Sequence, residues 1–200
     1  MEQLYKKALN LSLFTIAYNI IEGIVSVVAG ALAGSVALVG FGLDSFVESL
    51  SGFIMIWRFK KHGKVTEQEE EVIENKALRY VGYTFIILSF YIAYESMSKL
   101  YYKEIPNPSF IGIIIAVASI VVMPVLYYKK IKTAKAINSK SLSSDAKETL
   151  ACTFLSLALL IGLGLNYLKG WWQADPVVGL VVTIYLIKEG IEILSGEEED

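Results

Sequence analysis

Long apolar stretches, separated by short groups of charged residues, define the chain's pattern. Six stretches are long enough to cross a bilayer as helices, since a helix needs about 20 apolar residues to span it. The first, from Leu11 to Ala33, carries only one charge, Glu22. The pattern predicts an all-α polytopic membrane protein with six transmembrane helices in a single domain covering residues 1–200. The expected spans are residues 11–33, 35–57, 78–98, 109–128, 145–167 and 176–194.

The start of the chain has a second interpretation. Two lysines, an apolar run and an A-x-A sequence at Ala31–Ala33 are also typical of a secretory signal peptide. The run is longer than the apolar core of such a peptide and contains Asn19 and Glu22. A retained first span is the favoured interpretation.

Positive residues predict the orientation. Lys and Arg lie mainly at the start of the chain, in the expected linker of residues 58–76 and in the expected basic connector of residues 129–144. With both termini on the same side, fifteen of the eighteen positive residues fall on that side and three on the other. The positive-inside rule then places both termini in the cytoplasm. Composition agrees with a membrane protein, with 54% apolar residues and a mean hydropathy of +0.52.

The residue inventory excludes several kinds of function. A single cysteine, Cys152, allows no intrachain disulfide, and a single histidine, His62, allows no cluster of histidine metal ligands. There is no nucleic-acid-binding motif and no glycine-rich phosphate loop. We expect neither an enzyme nor a protein with a resident cofactor.

The most informative stretch is GFGLDSFVES, Gly40–Ser49, because it places two carboxylates inside the second span. Asp44 and Glu48 are four residues apart and share one helix face. A charged carboxylate at membrane depth costs at least about 2.5–3.5 kcal/mol, so such a pair indicates a functional site. Satisfaction by polar groups of a neighbouring helix is the alternative.

A second polar stripe lies at the start of the fifth span, in SDAKETLAC, Ser144–Cys152. Asp145, Glu148 and Cys152 follow helical spacing, and Glu148 and Cys152 repeat the four-residue interval of the first pair. At about 1.5 Å per residue, both pairs fall at similar depths in antiparallel helices. Two facing pairs are enough for a four-coordinate cation. Asp145 can instead be a helix N-terminal charge, and Cys152 a small buried apolar residue.

Two further polar residues, Asn19 and Glu22, lie three apart on the first span. They are candidates for lining the cation path, or for hydrogen bonds between helices. Asp175, directly before Pro176, is expected to cap the sixth helix.

These motifs resemble those of the cation diffusion facilitator superfamily. GLDSFVES is similar to its second-span metal motif, D-x-x-x-D or H-x-x-x-D, and SDAKETLAC to its fifth-span motif, in which Glu148 and Cys152 replace His and Asp. The resemblance implies metal ligands at Asp44, Glu48, Glu148 and Cys152, with Asp145 one turn toward the cytoplasm. It also implies a homodimer and a short branch of the superfamily without the C-terminal cytoplasmic domain.

The expected function is export of a divalent metal ion, Zn²⁺ first, by metal/proton antiport through the bilayer of a prokaryotic plasma (inner) membrane. Oxygen ligands also suit Mn²⁺ or Fe²⁺. Two other hypotheses remain open: a non-transporting membrane assembly module, and a transporter of an organic cation.

Overall fold

A computed structural model describes residues 2–61, 67–137 and 139–195. They form six helices, α1 (Glu2–Ala33), α2 (Val36–Lys61), α3 (Glu67–Tyr102), α4 (Phe110–Ile137), α5 (Lys140–Lys169) and α6 (Ala174–Ser195). Within these ranges there is no strand, so the all-α prediction is confirmed. His62 and the acidic residues after 195 lie outside the described residues.

The helices are longer than the predicted spans. The expected linker of residues 58–76 belongs mostly to α2 and α3, and the expected connector of residues 129–144 mostly to α4 and α5. Both predictions were wrong for one reason. Lys, Glu and Ala are good helix formers, so charge marks where the apolar surface ends and not where the helix ends.

Four helices contain segments that are long and apolar enough to cross a membrane: Gln3–Ala33, Val36–Trp57, Phe110–Ile137 and Asp145–Lys169. The described parts of α3 and α6 do not meet the same criterion. α3 is rich in tyrosine, and α6 carries Lys188, Glu189 and Glu192 in its second half. Membrane crossing by these two helices stays a prediction.

Serine side chains begin three of the helices. Ser35 accepts a hydrogen bond from the Leu38 N–H, Ser109 from the Gly112 N–H, and Ser139 from the Leu142 N–H. Such caps satisfy amide groups that the first helical turn leaves unpaired.

Three antiparallel pairs make up the bundle: α1 with α2, α3 with α6, and α4 with α5. Glycines allow the closest approaches, since a Cβ added at Gly42 would lie 2.9 Å from the Gly23 carbonyl oxygen, and one at Gly190 would lie 3.1 Å from that of Gly82. Small residues let helices pack this closely.

The chain enters and leaves the bundle at one end, where Ala8 of α1 packs against Met55 of α2, Ile137 of α4 and Leu142 of α5. We call this the basic end, because Lys6, Lys7 and the lysines late in α4 lie there. The opposite end holds the turns between α1 and α2, α3 and α4, and α5 and α6.

Many polar side chains lie inside this bundle beside its apolar core, and large apolar side chains are exposed on its outside. On α1 a buried stripe of five polar residues follows the helical repeat: Ser12, Thr15, Asn19, Glu22 and Ser26. Large apolar side chains such as Ile21 and Leu32 are exposed on the other face of the same helix. This distribution suits a bundle surrounded by lipid, whose polar and ionisable residues face the interior.

Candidate cation site

The two carboxylates of α2 lie in the middle of the bundle. Asp44 and Glu48 are each only 5% exposed. With Glu148 of α5, Phe85 of α3 and Tyr185 of α6 they line a small cavity of about 10 Å³. That volume is about what one water molecule needs, so the cavity suits a single small ion or water.

Some oxygen atoms at this cavity are free of protein partners. Glu48 Oε2 and Glu148 Oε2 are buried and have no hydrogen-bond partner within the described residues. A buried carboxylate oxygen without a donor is costly, and a cation or a proton would remove that cost. The sequence prediction that the α2 pair and Glu148 converge is therefore confirmed as a spatial arrangement, and their role as ligands stays a prediction.

The three carboxylates do not form a ready-made metal site. In the described part of the chain, no three Asp, Glu, Cys or His side chains lie close enough to hold a metal ion together. Simultaneous binding by the three carboxylates thus requires a rotamer change or a small helix movement that closes the cavity.

A series of polar contacts leads from the cavity toward the basic end. Lys130 of α4 is fully buried, and its Nζ lies 2.9 Å from Asp145 Oδ2 and 2.9 Å from the Thr149 hydroxyl. The Thr149 hydroxyl accepts from Lys130 and lies 3.0 Å from Glu48 Oε1, to which it donates. Three helices, α2, α4 and α5, are thereby connected through one threonine.

These contacts correct the interpretation of Lys130 and narrow the possible role of Asp145. The sequence predicts Lys130 as one of the lysines of a basic connector, whereas it lies inside the bundle as the partner of Asp145. It therefore cannot contribute as a free surface charge to the orientation argument. Asp145 does not line the cavity; it lies in an ion pair one helical turn nearer the basic end.

Cys152 lies one turn beyond Glu148 and is buried. It packs in the main hydrophobic cluster, and the residues that line the cavity do not include it. This surrounding fits the alternative in which Cys152 is a small apolar residue. Its role as a ligand stays a prediction.

The two polar residues of α1 lie beside the same interior. Glu22 Oε2 accepts a hydrogen bond of 3.0 Å from the Ser45 hydroxyl of α2, so Glu22 does connect two helices. Its Oε1 and both polar atoms of Asn19 are buried without a hydrogen-bond partner in the described ranges. Both residues remain candidates for a cation path.

Charge in this interior is strongly unbalanced. Glu22, Asp44, Glu48 and Asp145 are buried carboxylates, and Lys130 is the one buried basic residue in the described part of the chain. Several unpaired negative charges in a weakly polar interior are prohibitively costly. Protons or cations must therefore balance the excess negative charge in any stable state of the bundle.

Sequence reasoning missed four residues at or near the cavity: Phe85, Thr149 as a bridge, Tyr185 and Glu189. Glu189 lies one turn after Tyr185 on α6, within electrostatic range of Asp44 and Glu148. The four-residue spacing of Tyr185 and Glu189 was a usable signal. Phe85 had none, because an aromatic residue in an apolar helix is indistinguishable by pattern from ordinary core.

Asp175 connects helices at the opposite end of the bundle. Its carboxylate accepts hydrogen bonds from the Ser35 hydroxyl and, at 2.9 Å, from the Val36 N–H. The expected cap on the sixth helix is wrong, because α6 already begins at Ala174 and Asp175 caps the N-terminus of α2. Nearby, Lys99 donates to the Gly34 carbonyl, and Asn107 N–H to the Ala33 carbonyl at 2.7 Å.

Known proteins that are similar to this chain include two that are described as transporters. Transmembrane protein 163 of Xenopus laevis is 23% identical over 190 residues, which cover 94% of this chain and 66% of that protein. Proteins described as uncharacterized transporters from Methanocaldococcus jannaschii and Synechocystis are 23% and 22% identical over 90% and 83% of this chain, and the matches cover 65% and 55% of their lengths. The chain thus spans less than two thirds of the length of each.

The family comparison covers almost all of the described helices. Residues 12–196 match the model of the cation efflux transmembrane domain, from the end of the third turn of α1 to the end of α6. Together with the apolar helices, this match identifies an integral membrane protein. The chain belongs to the cation efflux, or cation diffusion facilitator, family.

Proposed function

We propose that this protein exports a divalent metal ion from the cytoplasm in exchange for protons, and that the cavity between α2, α3, α5 and α6 is its transport site. The observation that carries the proposal is the convergence of Asp44, Glu48 and Glu148 on one ion-sized space. Membership of the cation efflux family supports it.

The donor set suggests which ions fit. Asp44, Glu48 and Glu148 offer carboxylate oxygens, which bind Zn²⁺ at about 2.0–2.2 Å and also suit Mn²⁺ and Fe²⁺. Of these three ions Zn²⁺ is the preferred candidate, because a given set of ligands generally binds it more tightly than Mn²⁺ or Fe²⁺. Cys152 would favour Zn²⁺ further if a closing movement brought its sulfur to the ion.

Exchange with protons follows from charge balance. Carboxylates bind a metal in their deprotonated form, so metal binding releases protons and protonation releases metal. When either the metal ion or protons are bound, the net charge of the interior approaches zero, whereas the empty, fully deprotonated site is unstable. A bundle that alternates between its two ends can therefore move one kind of ion against the other.

The ion pair of Lys130 and Asp145 lies between the cavity and the basic end. We expect an ion from that side to pass this pair, with Asp145 as a transient carboxylate and Glu22 and Asn19 lining the opposite wall. Placement of the basic end in the cytoplasm follows the positive-inside prediction.

Calorimetric titration of the purified full chain tests the binding step, one metal at a time, at two pH values. We expect saturable Zn²⁺ binding that weakens on acidification, because protons compete for the same oxygens. The Glu48→Gln variant should lose binding. The matched control Glu95→Gln, in the half of α3 farther from the basic end, should retain it. Affinity that does not change with pH, or equal binding by both variants, would contradict carboxylate ligation.

The expected homodimer and the plasma membrane of a prokaryote stay predictions. Light scattering of the detergent-solubilised protein, corrected for bound detergent, measures the oligomeric state directly. A mass of one chain, 22.2 kDa, across the accessible concentration range would contradict the dimer.

A further inference from the structure

A second cavity lies on the outside of the bundle, between α1 and α4. It is a groove of about 800 Å³. It is separate from the cation site, and neither charge balance in the interior nor the contacts of the carboxylates involve it.

The walls of the groove are divided into a polar and an apolar part. Its polar side chains are Gln3, Lys6, Lys7 and Asn10 of α1 and Lys129 of α4. The three lysines are exposed, and none of the residues that line the groove is acidic. The groove therefore combines three positive charges with two amide groups that can donate hydrogen bonds.

The apolar part continues from the lysines toward the middle of the membrane. Phe14 of α1 and Val121 and Val125 of α4 are at least half exposed, and Leu11 lies beside them. These residues fall on the outward faces of two antiparallel helices. An acyl chain that lies along this strip would cover apolar surface that has no partner in the described part of the bundle.

Depth along the helices supports the same division. Lys7 is the last charge before the uncharged run of α1, and Lys129 is the first charge after the uncharged run of α4. The lysines thus lie where the hydrocarbon region gives way to the headgroups, and the apolar strip lies within the hydrocarbon region. Basic pockets between helices at this boundary suit anionic headgroups.

A second copy of the chain is a poorer occupant. In a twofold-symmetric contact the same surface faces itself, so Lys6, Lys7 and Lys129 of both copies would meet. Like charges brought together in this way oppose the contact. An anionic lipid brings the opposite charge and an apolar tail at the same time.

We propose that the groove between α1 and α4 is a binding site for an anionic phospholipid, with the phosphate at Lys6, Lys7 and Lys129 and an acyl chain along Phe14, Val121 and Val125. The proposal is independent of which cation the protein carries.

Native mass spectrometry of the full chain in detergent tests this with phosphatidylglycerol and phosphatidylcholine of identical chains. We expect preferential retention of phosphatidylglycerol. The Lys7→Gln/Lys129→Gln variant should lose it by up to about 25-fold at low salt, at about fivefold per lysine. The control Lys132→Gln/Lys135→Gln removes two exposed α4 lysines outside the groove and should change retention little. Equal loss in both variants, or no preference between the lipids, would overturn the proposal.

A substitution on the apolar strip and a competition experiment distinguish the lipid from two other occupants, a second copy of the chain and a free phosphate. Val121→Trp should block the groove and reduce phosphatidylglycerol retention, whereas Val117→Trp, on α4 but outside the groove, should not. Glycerol phosphate added in excess should fail to displace the lipid. Displacement by glycerol phosphate would assign the lysines to a free phosphate, and loss of a dimer on Val121→Trp without loss of lipid would assign the groove to a second copy; either result refutes the lipid site.

Discussion

Substitution of Lys130 by methionine removes the positive charge at the centre of the contacts between α2, α4 and α5. Methionine keeps much of the length and volume of the side chain, so the change isolates the charge from packing. Lys130 is fully buried and Asp145 is 3% exposed, with 2.9 Å between Nζ and Oδ2. After the substitution Asp145 would be a buried charge without a partner.

The structure gives the size of the expected effect. Removal of one partner of a buried ion pair costs about 3–5 kcal/mol, because the remaining charge is left uncompensated. Loss of the hydrogen bond from Lys130 to Thr149 acts in the same direction. Replacement of both partners, as in Lys130→Met/Asp145→Leu, should be nearly neutral, since an apolar pair of similar volume is often as stable as the ion pair.

Reversible unfolding in mixed micelles measures the free energy of unfolding for the parent, for Lys130→Met and Asp145→Leu separately, and for the double variant. The control is Lys132→Met, at an exposed position two residues along the same helix, for which we expect a change within about 0.5 kcal/mol. A Lys130→Met deficit no larger than that of Lys132→Met, or a double variant that loses the sum of the single losses, would refute the buried pair.

Two further predictions concern other contacts of the bundle. Gly42→Ala should destabilise the protein by about 1–3 kcal/mol, because its Cβ meets α1 at 2.9 Å or less, whereas Gly164→Ala, where a Cβ meets nothing within 4 Å, should be neutral or stabilising in the same unfolding assay. Asp175→Ala removes the acceptor of the Val36 N–H and should lower the free energy of unfolding by about 0.5–2 kcal/mol. Glu192→Ala, at a more exposed position, should change that free energy very little. Similar losses at both members of either pair would count against the packing described.

Helix number and the first half of the site were readable from the sequence because both depend on local spacing. Apolar runs of span length predict helices, and the four-residue interval places Asp44 and Glu48 on one face whatever the rest of the chain does. Glu148 could be matched to them by depth alone, since antiparallel helices share one rise per residue.

Lys130 shows what local spacing could not decide. It stands among Lys129, Lys132 and Lys135, and composition cannot distinguish the buried lysine from its exposed neighbours. Only continuation of the α4 repeat through Met123 and Leu126 would have placed Lys130 on the buried face. Ending the span at Tyr128, where the lipid-facing surface ends, concealed that continuation.

Asp175 illustrates a second limit. An acidic residue before proline is typical of a helix start, and the helix start is there. Its side chain nevertheless caps a different helix, 139 residues earlier in the chain. Contacts between distant segments depend on how the helices pack, and no pattern within a single helix records that.

Asp44, Glu48 and Glu148 are proposed to bind the metal ion and the protons that the protein exchanges. Transport in proteoliposomes tests this role most directly. Vesicles with a pH-sensitive dye inside and Zn²⁺ added outside should show coupled metal entry and proton release for the parent and for Glu95→Gln. Asp44→Asn, Glu48→Gln and Glu148→Gln should each abolish the exchange while unfolding as cooperatively as the parent. Undiminished exchange in Asp44→Asn and Glu48→Gln would contradict the assignment of this cavity as the transport site.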